Sequence, residues 1–195
     1  MVYRTSYVFW AKILSVIIAP YFKIFNFFKK KYNLDEIKVK TILVTEYHRI
    51  GDVIIIAPIL KSIKSKYPDA EIILICSESA KALAEKLKLA DKIFGISVPW
   101  TNWRWSVFEW YDIWKFANSF HLLDIDLAID FKGDLRNAWF LWKTHPKISF
   151  GYNTTGGGYF FTNSYAMDQN AHQYLRAFKL IQQFGCQLVK DKETR

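Results

Sequence analysis

The chain has 195 residues, 51% of them hydrophobic and 23% charged, with a net charge of +9 and 18% aromatic residues. That length holds one domain, or one with a small extension, and buries a core without disulfide or metal staples. The composition excludes a disordered chain. A basic, aromatic-rich protein suits nucleic acid, a membrane surface or an anionic small molecule, and the distribution of charge discriminates among them.

Residues 1–40 contain eight Lys/Arg, two acidic residues and ten aromatics, so this leader carries +6 of the charge and the rest only +3. A nucleic-acid interface would instead show its charge on the folded domain. Between Lys12 and Lys23 only ten uncharged residues run, against about 20 for a spanning helix. A transmembrane helix is therefore set aside. A signal peptide is also disfavoured, because Lys and Pro interrupt the apolar region and no clean cleavage site follows. An amphipathic helix over residues 1–38 remains. Lys12, Ser15, Ala19, Lys23, Asn26 and Lys30 recur along one side, and Ile13, Leu14, Ile17, Ile18, Tyr21, Phe22, Phe25 and Phe28 fill the other. Pro20 kinks it. Such a helix either lies on an anionic leaflet or packs on its own domain or a partner. The membrane reading assigns contact to Trp10, Lys12, Phe22, Lys23, Phe25, Lys29, Lys30 and Lys31.

From residue 41 strand and helix patterns alternate. Thr41–Thr45, Glu71–Ile75, Lys92–Ile96, Leu127–Phe131 and Lys147–Phe150 read as five strands. Helices follow at 53–66, 77–89, 105–120, 135–142 and 170–184, with Gly185 ending the last. Gly151–Thr162 reads as a glycine-rich loop, and Gly156, Gly157 and Gly158 form either a flap over a cleft or a flexible surface loop. The pattern predicts an α/β, Rossmann-like, doubly wound, mainly parallel sheet over residues 39–189, with 190–195 as the start of a linker. The aromatic stretch from Trp100 through Trp103, Trp105, Trp110 and Trp114 to Phe120 exceeds what one helix face buries. It predicts core packing plus an edge that faces lipid or a partner.

Cys76 and Cys186 lie far apart with no metal or redox spacing, and the four His show no metal pattern. A reducing cytosol fits this usage, and no metal site is expected. No G-x-G-x-x-G is present. Gly151–Gly157 begins like a P-loop but lacks the Lys and Ser/Thr that hold phosphate and magnesium.

In a doubly wound sheet ligands bind beyond the carboxyl ends of the strands. Two such loops carry reactive residues, 48–52 and 132–136. Gly51 permits a tight turn with positive φ. Asp52, at the start of the following helix, is placed to take a proton from a substrate hydroxyl, and Arg49 to hold a phosphate. Equally, Asp52 is a helix N-cap and Arg49 a solvated loop residue.

The run Ile42–Leu60, with Arg49-Ile50-Gly51-Asp52-Val53 at its centre, resembles the opening of the bacterial lipopolysaccharide heptosyltransferases of glycosyltransferase family 9. Three further stretches match in order: Tyr67-Pro68-Asp69-Ala70-Glu71-Ile72, the segment Asp126–Asn137, and Ile148–Tyr152. The helix with His172, Arg176 and Leu180 fits as well. The resemblance implies the N-terminal, acceptor-binding half of a GT-B fold, and an inverting, metal-independent transfer of a sugar from a nucleotide diphosphate sugar, such as ADP-heptose, to a lipopolysaccharide-core or other glycolipid acceptor. It places the general base on Asp52 and acceptor binding on Arg49, Gly51, Lys132 and Arg136. No cofactor, metal or nucleic acid is implied. The nucleotide sugar would bind through a C-terminal donor domain that these residues lack. With the basic leader, the resemblance predicts a cytoplasmic protein, peripheral on the inner membrane. The alternative is a non-catalytic membrane-surface glycolipid-binding or scaffold protein that retains only this domain.

Overall fold

The computed structural model describes residues 5–27, 30–101 and 106–189. Phe28, Lys29, Trp103, Trp105 and the linker residues 190–195 lie outside the described residues, as does the side chain of Phe25. The elements run α1 (Thr5–Phe27), β1 (Thr41–Glu46), α2 (Ile50–Lys66), β2 (Glu71–Ser77), α3 (Glu78–Lys86), β3 (Lys92–Ile96), α4 (Val107–Ser119), β4 (Leu127–Asp130), α5 (Leu135–Lys143), β5 (Ile148–Tyr152), β6 (Asn163–Tyr165) and α6 (Gln173–Gln182).

The strands form one parallel sheet in the order β3-β2-β1-β4-β5-β6, which is the Rossmann-like arrangement. Helices cover both faces, so the strands are apolar on both sides. Ile42, Val44, Ile72 and Leu74 pack with α2, α3 and α6. Leu43, Ile73, Ile75 and Ala128 face the other way, into a core with α4 and α5. Both cysteines are buried and free.

β6 is a sixth strand that the sequence reading leaves inside the glycine-rich loop. It is three residues long, Asn163-Ser164-Tyr165, and carries no apolar run. Parallel pairing with β5 (Phe150 opposite Asn163, Tyr152 opposite Tyr165) makes it a strand, not local propensity. Gly51 also differs from expectation. It is a helical residue of α2 and is absent from the positive-φ glycines, and a Cβ built on it would meet nothing within 4 Å. Its lack of a side chain leaves open space beside the helix, not a turn.

α1 docks along the outside of the second core, over α5 and the turn Gly158–Phe160. Its inward stripe is small and polar: Ala11 and Ser15 are each 6% exposed. Ser15 Oγ accepts a hydrogen bond from the Gly157 N–H (2.9 Å), and Asn26 bridges the Tyr159 carbonyl and the Trp142 indole N–H. Phe22 wedges between Trp142, Tyr159 and Phe160. The amphipathic pattern is therefore oriented with Ser15, Ala19 and Asn26 toward the domain, and with Trp10, Ile13, Leu14, Ile17 and Tyr21 toward the outside. By length and composition, Ser6–Ile24 is long and apolar enough to cross a membrane. The ten-residue run between its lysines understates it, because one helix carries the apolar pattern through both charges.

Gly156 holds α1 close. Its φ is +99°, and a Cβ there would lie 2.5 Å from Ser15 Cβ. Gly156→Ala combines a strained left-handed backbone with a clash against another helix, at a cost of about 1–3 kcal/mol. The expected outcome is a melting temperature lower by several degrees, together with protease cleavage of α1 before the domain. An unchanged digestion pattern would show that α1 is not seated here.

Candidate active site at the β1–β4 switch point

The order of the strands reverses between β1 and β4, which lie side by side with Thr45 opposite Asp130. Connections leave β1 and β4 on opposite faces there, opening a crevice at their carboxyl ends. The two loops singled out from the sequence, 48–52 and 132–136, flank that crevice.

Asp52 lies in the first turn of α2, three residues after the N-cap Arg49, so it is not the N-cap. The helix dipole favours a carboxylate in this turn. One carboxylate oxygen lies 2.8 Å from Lys132 Nζ. Lys132 is buried (7% exposed), and its ammonium also lies 3.3 Å from Glu46 Oε1 at the end of β1. Glu46 is fully buried, with neither oxygen hydrogen-bonded among the described residues, and His48 Nδ1 approaches it at 3.6 Å. The result is a line of polar contacts, His48–Glu46–Lys132–Asp52, with Glu46 and Lys132 buried in its middle and the half-buried His48 and Asp52 at its ends. Arg49 is exposed at the mouth.

A second polar group supports it from below. Asp130 ends β4 with no exposure. It accepts from the Gly133 N–H (2.8 Å), Asn137 Nδ2 (3.1 Å) and Thr45 Oγ1 (3.2 Å). Burial still pushes its carboxyl up to about 6, with nearby Glu46 adding to the rise against the donors. Asn137 accepts from the Trp100 indole N–H (2.9 Å), which ties the aromatic stretch to the site. Gly133, at φ +71°, aims its N–H at Asp130 from a turn where a Cβ would clash with Thr154 and Tyr152. Burial lifts the Tyr47 hydroxyl well above its ordinary value, so it stays neutral beside this group.

Arg136 occupies the other rim. Asp134, the N-cap of α5, takes two N–H bonds from its guanidinium (2.9 and 2.7 Å) while capping the helix through the Arg136 backbone N–H. The Tyr7 ring of α1 stacks under the guanidinium (4.6 Å), and its hydroxyl donates to Asp134. Burial and the Asp134 carboxylate hold that hydroxyl above its usual range.

The structure thus brings Asp52, Lys132, Gly51 and Arg49 together, with Arg136 on the adjacent α5. Gly156, Gly157 and Gly158 lie under α1, not over the crevice. Sequence reasoning missed Glu46, Asp130 and Tyr7. The available signal for the first two was a carboxylate closing an otherwise apolar strand at its carboxyl end.

Asp130 generates a pH prediction. Its folded value of about 6 exceeds the ordinary 3.8, so the folded state binds this proton more readily. Its contribution to stability is therefore present at low pH and is lost as pH rises from about 4 through about 6. Asp130→Asn removes that dependence. In urea unfolding between pH 4 and 7, the wild-type stability relative to the variant should fall by up to about 3 kcal/mol, whatever the variant's absolute stability. A difference that stays constant with pH would refute the assignment.

No family model and no curated protein matches the sequence. Solved structures do match in fold. A glycosyl transferase family 9 protein from Veillonella parvula aligns over 77% of this chain and 43% of its own, at 18% identity and a TM-score of 0.64. The E. coli heptosyltransferase WaaC with ADP aligns over 77% and 49%, at 14% identity and a TM-score of 0.64. E. coli ADP-heptose lps heptosyltransferase II aligns over 72% and 39%, at 15% identity and a TM-score of 0.60. The chain spans half or less of the length of these structures, and what it shares with them is a Rossmann-like α/β fold.

Proposed function

We propose that the chain is the acceptor-side half of an inverting, metal-independent glycosyltransferase of the heptosyltransferase type. The donor is a nucleoside diphosphate sugar such as ADP-heptose, bound through a second domain, and the acceptor is a lipopolysaccharide-like glycolipid. One observation carries this reading. Asp52 stands at the switch-point crevice, held by Lys132 at 2.8 Å, in a fold matched by structures described as heptosyltransferases with ADP or an ADP-sugar.

Asp52 takes the proton of the acceptor hydroxyl as the oxygen attacks the anomeric carbon and the nucleoside diphosphate departs from the opposite face. Lys132 fixes the carboxylate in place. When Asp52 becomes neutral, Lys132 keeps Glu46 as its counter-charge, so the step leaves no unpaired buried ammonium. Gly51 leaves room for the acceptor beside the helix. Arg49 and Arg136 are the cations at the rim for its anionic groups.

We place the protein peripherally on the cytoplasmic face of the inner membrane. Among the described residues, nine large apolar side chains of α1 are exposed, from Phe9 (59%) through Val16 (72%) to Phe27 (78%), and Lys12, Lys23, Lys30 and Lys31 are exposed on or just beyond the helix. An apolar surface flanked by cations suits an anionic leaflet. Contacts with the domain at Tyr7, Ser15 and Asn26 extend over about 28 Å of helix, which supports α1 lying along the domain at the surface over its spanning a bilayer. The same face favours a second reading, a glycolipid-binding scaffold without catalysis. Binding of phosphorylated glycolipid with no transfer, when a donor half is supplied, is its signature.

Two outcomes test this. Asp52→Asn, assayed with the donor half joined after residue 189, should lower transfer by roughly 10²–10⁴-fold with the fold intact; undiminished turnover removes Asp52 from the base role. The full chain should pellet with vesicles containing anionic lipid, and deletion of residues 1–35 should abolish this. Equal pelleting of the truncated protein sinks the membrane reading.

A further inference from the structure

A groove of about 670 Å³ runs between the first half of α1 and the N-terminal ends of α4 and α5. Its volume falls within the range of roughly 300–1,000 Å³ common to small-molecule sites. Trp10 and Leu14 form one wall, Val107 and Trp110 the other, and Leu135 and Arg136 close the inner end. The walls are aliphatic and aromatic, and Arg136 is the only charged side chain among the described residues that line it.

We infer that this groove takes one acyl chain of the glycolipid acceptor, with the anionic head directed at the N-terminus of α5. The inference rests on the acceptor-side reading above and names where the lipid end of that acceptor lies. Three observations carry it. First, the groove opens into the surface assigned to the membrane. Its rim residues Trp10 (66% exposed), Leu14 (52%) and Val107 (83%) continue into Ile17 on α1 and Phe108 on α4. Second, its inner end is part of the site. Leu135 and Arg136 begin the helix that Asp134 caps, directly after the turn that binds Asp130. A chain entering from the bilayer therefore ends with its head beside the crevice. Third, the lining matches an amphiphile: an apolar body with one cation at one end. Arg136 is positioned there by Asp134 and by the Tyr7 ring, which also lines the groove.

The test uses the full chain and an N-dodecanoyl amino-sugar 1-phosphate brominated on the chain, kept below its micelle concentration. The expected result is saturable quenching of tryptophan fluorescence. Leu14→Glu and Val107→Glu each put a carboxylate into the groove from an exposed position, so folding is retained. Each should weaken binding tenfold or more, and Val107→Trp, which fills the groove, should do the same without adding charge. The sugar phosphate without its chain should bind at least tenfold more weakly. Equal affinity of wild type and all three variants overturns the proposal. So does equal competition by dihexanoyl phosphatidylglycerol, which would give the groove to bulk lipid. The two readings fail separately. Groove-dependent binding with no transfer on supplying a donor half sinks the transferase reading alone. Transfer that is indifferent to the acyl chain sinks the acyl site alone.

Discussion

A buried ammonium held between two carboxylates governs the carboxyl edge of this sheet. Lys132 is 7% exposed, and Glu46 is fully buried. Removing such charges from water costs several kcal/mol per ion, and only close pairing offsets it. Lys132 therefore requires Glu46 and Asp52, at 3.3 and 2.8 Å, and each carboxylate depends on it in turn. The arrangement exists because β1 and β4 pair directly, which sets the ends of two strands more than 80 residues apart in sequence against each other. The crevice is thus a consequence of strand order, and its chemistry a consequence of which side chains end the strands there.

The same argument sorts the cations of the site. Lys132 and Arg136 both fall on positions where the family resemblance places acceptor binding, yet each is tied to carboxylates. Lys132 lies too deep, and its charge is too nearly balanced, to be the main holder of an acceptor phosphate; it orients Asp52. Arg136 is balanced by Asp134 but sits at a rim, with 20% of its side chain exposed. Arg49 is the exposed cation at the mouth. The site therefore has a balanced interior and an exposed cation at its entrance, an arrangement that, in the proposed function, would steer an anionic acceptor without binding its phosphate against Asp52.

Most of the fold is readable from the residues because β1, β2 and β4 are buried on both faces and written as runs of Ile, Leu, Val and Ala, while β3 and β5 keep shorter apolar patterns between helices. β6 is not readable, because Asn163-Ser164-Tyr165 is polar and becomes a strand only through its neighbour. Asp52, Lys132 and Arg136 are readable because each follows closely on the carboxyl end of a strand, Lys132 in the connection and the other two in the first turn of the next helix, where position alone implies nearness to a crevice. Glu46 and Asp130 are not. A carboxylate closing a strand looks the same in sequence whether solvated or buried, and burial here follows from a pairing that no local pattern encodes. For α1, the period gives two stripes but not which one turns inward. The answer runs against the usual expectation for a helix on a domain. The stripe of Ala11, Ser15 and Asn26 docks because Gly156 admits close approach and the polar groups find partners; Tyr7 and Phe22 pack inward beside it, and the other large side chains described stay outside.

That inverted docking joins the leader to the site. A helix that buried its large apolar face on the domain would have nothing to offer a bilayer, and one held by the bilayer alone would not reach α5. α1 does both. Its outward face is apolar over its length, while Tyr7 near its start stacks on Arg136 and donates to Asp134. The exposed apolar face and the rim of the crevice are thus two sides of one helix. Under the proposed membrane contact, the same contacts that place Arg136 would fix the orientation on the bilayer, and a lipid-linked acceptor would meet the crevice without first leaving its leaflet.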